Sequence, residues 1–185
     1  LEHTGISPEQ VDYYAVSRGP GSFTGLRIGI AAVKGLAFPD RTPCIGVSTP
    51  EAIAYGLLGF EGTVVPMMDA RCRQVYTALF RGQAGTLTRL TEDEALPLIE
   101  LEKKLQDCPA PLWLCGDGAH LGLAAWGEEL PVKLAPAHLC CQRAAAVGLA
   151  AMNHLGEAVS PEALVPCYLR PANAMTLKER QHKAE

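Results

Sequence analysis

The residues most able to do chemistry sit in Gly19-Pro20-Gly21-Ser22-Phe23-Thr24-Gly25-Leu26-Arg27, a glycine-rich turn that opens a helical pattern. Helix N-termini attract anions, so phosphate binding is the first chemistry to weigh. A phosphate loop needs a lysine and a hydroxyl residue straight after its last glycine. Leu26 and Arg27 stand there instead, and the dinucleotide spacing fails as well. Gly25 and Gly29 lie one turn apart inside the helix, where each glycine costs about 1 kcal/mol relative to alanine. A tight turn with another backbone or a ligand packed against those glycines accounts for them.

Other reactive patterns are weaker. Ser22 directly follows the first glycine of its run and is not at the centre of a nucleophile elbow. The five histidines fall in loops, at helix ends or in the tail, and no two lie three or four residues apart, as a zinc or iron anchor requires. Asp69 and Asp117 each follow an apolar strand, a position that suits a metal-binding carboxylate. Asp69 neighbours Arg71 and Arg73, so a hairpin salt bridge explains it, and Asp117 between two glycines reads as a turn residue. The reading is therefore no catalytic residue, no metal site and no cofactor held by this chain.

The positioning elements follow from periodicity. Tyr13 to Val16 is a strand, and Ser22 or Thr24 caps a helix ending before Pro39-Asp40. Leu26, Ile30, Val33 and Ala37 form one apolar stripe on it, and Gly25, Gly29 and Ala32 a second, small one. Cys44 to Val47 is a strand and Ser48 or Thr49 starts a helix to about Leu58, which favours a parallel pair joined by a crossover. Thr63 to Met68, Gln74 to Phe80 and Leu87 to Leu90 read as antiparallel strands. Leu98 to Leu105 is a helix, Leu112 to Cys115 a strand, and Cys141 to Leu155 a helix with Ala145, Leu149 and Met152 on one side. A boundary falls near Gly59 to Gly62.

Composition bounds the class. At 185 residues, 48% hydrophobic and 19% charged, the chain builds a real core and is not a disordered segment. A net charge of −4 disfavours an autonomous nucleic-acid binder, which needs a basic excess. Arg170, Lys178, Arg180 and Lys183 make a locally basic tail that reads as a solvated end. The seven cysteines lack any CxxC, and Cys44 and Cys115 lie in apolar runs, as reduced core thiols do in a cytoplasmic setting. No apolar run is long enough to span a membrane.

The block Gly19 to Ala37 resembles the signature of the TsaB (YeaZ) family, a GxGSFTGxRIG core followed by GLA. Ile45 to Thr49 is similar to that family's second strand and helix start. Asp69-Ala70-Arg71 with Gln74-Val75-Tyr76 is similar to its DAR…EVY hairpin, and Pro166-Cys167-Tyr168-Leu169-Arg170 to its PxYLR tail. The resemblance implies an α/β, actin-like, ribonuclease H-like (ASKHA) fold of two lobes: residues 1–59 for the rest of the first lobe, 60–165 for the second, and 166–185 for a tail. Leu1 to Gly5 aligns with the end of the family's first helix, so about 45 residues of the first lobe are expected to be absent here.

By that resemblance the role is a non-catalytic partner of TsaD, acting with TsaE to form threonylcarbamoyladenosine in tRNAs reading ANN codons. ATP, ADP and metal would belong to the partner subunits, and tRNA would be reached only through the complex. The alternative class is a glycoprotease-like peptidase or an ATP-dependent enzyme. Ser22, Phe23, Thr24, Gly25, Leu26, Arg27, Gly29, Ile30 and Val33 are the expected contact residues for TsaD or for a second copy of the chain. Gly19, Pro20, Gly21, Asp69, Arg71 and Tyr76 are expected to be structural.

Overall fold

A computed structural model describes residues 5–170 of the chain; residues 1–4 and the basic residues Lys178, Arg180 and Lys183 of the tail lie outside the described part. Tyr14–Gly19 (β1) and Cys44–Ser48 (β2) pair in parallel, Tyr14 opposite Cys44 and Ser17 opposite Val47. The crossover between them is the helix Phe23–Ala37 (α1), as the strand–helix–strand reading requires. Ser22 is its N-cap, its side chain accepting a hydrogen bond from the Gly25 N–H. Among the described residues β1 pairs only with β2.

Thr49–Ala54 (α2) follows β2, capped by Ser48 with Pro50 in the first turn, and runs into a 3-10 turn over Tyr55–Leu57. The chain then enters a second, seven-stranded sheet. Its spine is Gly62–Asp69 (β3), buried along most of its length. Gln74–Thr77 (β4) and Phe80–Gln83 (β5) both run antiparallel to β3, on successive parts of its length. The single strand expected over Gln74 to Phe80 is thus two. Ala78 and Leu79 break it: both are buried, and the Leu79 N–H turns to the Thr91 hydroxyl. β5 then pairs with Thr86–Arg89 (β6), and β4 with Glu94–Pro97 (β7), a strand the sequence patterning missed.

Leu98–Leu105 (α3) buries Leu98, Leu101 and Leu105, the face expected of it. Leu112–Cys115 (β8) lies parallel to β3, and Val132–Leu134 (β9) parallel to β8. Between them stands Ala119–Trp126 (α4), also unforeseen. Its Trp126 is buried against Met67, Leu114 and the α3 leucines in the largest core of the molecule. Trp113 on β8 meets Phe60 edge-on and donates its indole N–H to the Glu61 carbonyl.

The last helix returns to the first sheet. Ala144–Ala151 (α5) buries Ala146, Val147, Ala150 and Ala151 against Ile45, Val47 and Ala52. It begins three residues later than expected and passes into a 3-10 segment over Met152–Glu157. Leu149 and Met152, expected on one side, do share a face, but that face is exposed. Val159 bridges to Cys44, and Leu164 joins Ile30, Ala37 and Cys44 in a small core. Residues 144–165, placed with the second lobe by the sequence boundaries, therefore pack on the first sheet, because their small apolar residues fit the surface of β2 and α2.

Candidate functional site

The glycine turn is built by the crossing of two chain segments. The Cys167 N–H donates to the Arg18 carbonyl at 2.7 Å, laying the stretch after Pro166 across the end of β1. Gly19 beneath it has φ +126, and an added Cβ would collide with the Cys167 carbonyl oxygen. Glycine is needed there for both reasons. Gly19→Ala is expected to destabilise the chain by at least about 2 kcal/mol, measured by urea unfolding followed by circular dichroism; an unchanged midpoint would contradict the crossing.

From this crossing the signature stretches meet. Phe23, first residue of α1, stacks on Tyr168 with centroids 5.0 Å apart. The Arg27 guanidinium lies 4.0 Å over the Phe23 ring, and its Nε donates to the Tyr168 hydroxyl at 3.0 Å. Two residues on, Arg170 donates to the Ala70 carbonyl at 3.0 Å and lies over the Tyr76 ring. Asp69 accepts from the Arg71 N–H at 2.8 Å and pairs with its guanidinium at 3.3 Å, while Asp117 accepts from the Asp69 N–H. Arg71, Cys72 and Arg73 take positive φ in the tight turn those bonds hold. Asp69 and Arg71 thus satisfy each other in the β3–β4 hairpin, Asp117 in the turn after β8 braces it through the Asp69 N–H, and Arg27 is anchored by an aromatic pair.

α1 presents two faces. Leu26 and Ile30 are 9% and 5% exposed, and Val33 packs against the same core as Ile30. These three, expected as contact residues, belong to the helix's own core face. The opposite face carries Thr24, Ile28, Ala31, Ala32 and Gly35, flanked by Gly25, Leu36 and Phe38. Ile28 is 65% exposed, Leu36 58% and Phe38 62%. Nothing lies within 4 Å of where a Gly35 Cβ would be, and a Gly29 Cβ would meet only Val16 at 3.8 Å. The helix glycines therefore do not serve close packing among the described residues. Ser22, Phe23, Thr24, Gly25 and Arg27 are exposed; Ile28, Ala31, Gly35, Leu36 and Phe38 are the members that sequence reasoning missed. Their spacing at 28, 31, 35 and 38 was the available signal.

Gly25 and Gly29 also border an open cavity of about 470 Å³ between β1, α1 and the start of α5. Its walls are mostly apolar, with Ser17 and Gln142 hydrogen-bonded to each other. As for nucleophiles, the Ser22 hydroxyl is occupied in capping α1. Burial pushes the Cys44, Cys108, Cys115 and Cys140 thiols up, away from the thiolate a nucleophile needs. Among the described residues no three His, Cys, Asp or Glu side chains gather as a metal site would require. What the arrangement offers is a firmly held helix with an apolar, small-residue face turned outward.

Residues 1–112 match a family model described as TsaD, tRNA N6-adenosine threonylcarbamoyltransferase. The tRNA threonylcarbamoyladenosine biosynthesis protein TsaB of Bacillus subtilis is 30% identical over 174 residues, 94% of this chain and 76% of that protein. The protein of the same name from Escherichia coli is 39% identical over 98 residues, 52% of this chain and 42% of that one. A crystal structure of an uncharacterized protein from Pseudomonas aeruginosa, described as similar to peptidase YEAZ, superposes with a TM-score of 0.69 at 27% identity, covering 92% of this chain and 79% of that one. A structure of YeaZ from the same organism gives 0.66 at 28% identity, covering 91% and 78%. The mixed α/β fold described above is the fold of those structures.

Proposed function

Because the chain belongs to the TsaB (YeaZ) family, we propose that it is a non-catalytic subunit that binds and supports TsaD in forming N6-threonylcarbamoyladenosine in tRNA. The carrying observation is the outward face of α1. Ile28, Leu36 and Phe38 are exposed around Ala31, Ala32 and Gly35, a surface flat enough for a partner helix to lie close. A large exposed apolar patch marks an interaction site, and Ile28, Leu36 and Phe38 lie on one side of α1 and its C-cap. A second copy of the chain is the competing occupant when TsaD is absent.

The chemistry of the described residues supports the non-catalytic assignment. Ser22 caps α1, burial pushes the Cys44, Cys108, Cys115 and Cys140 thiols up, and Asp69 pairs with Arg71 in the β3–β4 hairpin while Asp117 accepts from the Asp69 N–H. ATP, metal and the transfer step fall to TsaD and TsaE in this reading, and tRNA meets the chain through the assembly. No described helix is long and apolar enough to cross a membrane; a cytoplasmic location beside tRNA is part of the same proposal.

Reconstitution tests the assignment. This chain alone, given ATP, magnesium, threonine, bicarbonate and tRNA, is expected to yield no modified nucleoside by nuclease digestion and mass spectrometry. Adding TsaD, TsaE and the enzyme that makes the threonylcarbamoyl donor is expected to yield it, and leaving this chain out of that mixture to stop it. Product from this chain without TsaD, or undiminished product in its absence, would overturn the proposal.

A further inference from the structure

On the side of the molecule away from the outward face of α1, six polar side chains from four parts of the chain converge. Glu51 on α2 is buried and accepts from the Arg89 guanidinium at 2.9 Å and meets the His154 Nε2 at 2.9 Å. Arg89, at the end of β6, also donates to Asp93 at 2.9 Å and to the Thr91 carbonyl, and lies 4.8 Å over the Phe80 ring. Asp93 accepts from the Ser48 hydroxyl at 2.8 Å, the same hydroxyl that caps α2. His154, in the 3-10 segment after α5, meets Glu157 through Nδ1 at 2.9 Å. We propose that Glu51, Arg89, Asp93 and His154 form a proton-operated clasp that ties the second sheet and the segment after α5 to the start of α2.

The two arms differ in chemistry. Arg89 is permanently charged, so the arm from β6 to α2 holds at every physiological pH. The His154 arm does not. Both imidazole nitrogens face carboxylates, and only the imidazolium has an N–H for each. A neutral ring keeps one partner and turns a bare nitrogen on the other. Arg89 still satisfies Glu51, so loss of the proton weakens the tie between the segment Met152–Glu157 and α2 and leaves the Arg89 arm intact.

The groups around His154 favour its charged form. Burial alone disfavours the imidazolium, but the hydrogen bonds to Glu157 and Glu51 and their charges hold its pKa above the ordinary value. The same bond holds Glu157 below the usual carboxylate range, with Arg18 on β1 adding to it. Tyr55, hydrogen-bonded to Asn153, is neutral: burial first and then the Glu51 charge push its phenol up. Asp93 and Arg89 complete the charges behind Glu51. A folded-state pKa above the unfolded one gives a contribution that is complete below about 6.5 and lost as pH rises through the elevated value.

Hydrogen exchange on the full chain, corrected for intrinsic rates, tests the clasp. Amides of Met152–Glu157 are expected to lose protection by a factor on the order of three to ten between pH 6 and pH 8.5, relative to amides of β3. In His154→Gln, which keeps a polar side chain but no proton to lose, that difference is expected to vanish. NMR titration of the wild-type His154 ring gives a second reading independent of the variant, with a midpoint above that of an unfolded histidine. A midpoint at or below the unfolded one, or equal pH dependence in His154→Gln and wild type, would overturn the proposal.

Discussion

Gly35→Arg is expected to weaken association with TsaD by at least about 100-fold, near 3 kcal/mol, without harming the fold. Gly35 lies in the middle of the outward face of α1, with open space where its side chain would begin. A partner helix lying over Ala31, Ala32 and Gly35 would meet a long charged side chain that it cannot desolvate. In the free chain the same change replaces a poor helix former by a good one, so thermal stability should hold or rise slightly. Ile28→Asp on the same face should act alike, because a buried unpaired carboxylate is costly. Ile99, equally exposed but on α3 in the other half of the molecule, supplies the control: Ile99→Asp should leave affinity unchanged. Binding measured by calorimetry that treats Gly35→Arg and Ile99→Asp alike would remove α1 as the contact surface. Gly29, which the sequence pattern singled out, is a poorer probe because it sits at the flank beside Val16 and the cavity.

Trp126→Ala is expected to be the most destabilising of these substitutions. The indole is 1% exposed and closes the core formed by β3, β8 and α3. Truncating a buried tryptophan costs about 3–5 kcal/mol, from lost transfer energy and from the cavity left behind. In a chain of this length that lowers the melting temperature on the order of 10 °C. Gly122, one turn earlier on α4, is close enough that an added Cβ would meet the ring at 2.7 Å and the Met67 sulfur at 2.9 Å, so α4 has little room to collapse into the gap. A loss under about 1 kcal/mol would mean that α4 does not pack as described. The affinity of the folded fraction for TsaD should not change, since Trp126 lies in the half of the molecule away from α1.

Elements whose signals are local were legible in the sequence. The Ser22 cap, the parallel pair around α1, and α3 with its Leu98, Leu101 and Leu105 stripe all rest on short-range patterns. α4 was not, for a physical reason. It opens on glycine without a side-chain cap and is apolar on nearly every side, so it has no amphipathic contrast to detect. β9 has only three residues, and β7, with all four of its residues half-buried, has no distinct buried face to show a period. α1 exposes the deeper limit. A helix with apolar residues on both faces has one face for its own core and one for something else, and spacing alone does not say which. The glycines Gly25 and Gly29 suggest a contact that includes Leu26, Ile30 and Val33, yet those three face the helix's own core and Ile28 and Leu36 are the exposed ones. The joining of Phe23, Tyr168, Arg170 and Tyr76 spans most of the chain and has no local signal at all. Only the resemblance put those stretches in one frame.

The two tryptophans of the chain, Trp113 and Trp126, both belong to the half built on the seven-stranded sheet. The half that carries α1 has tyrosines such as Tyr13, Tyr14 and Tyr55 but no indole. Emission excited at the red edge of absorption therefore watches one half and is nearly blind to the other. A single fluorescence trace would assign the whole molecule the robustness of its optically visible part, and any loosening around α1 would pass unseen unless a reporter dye were attached there.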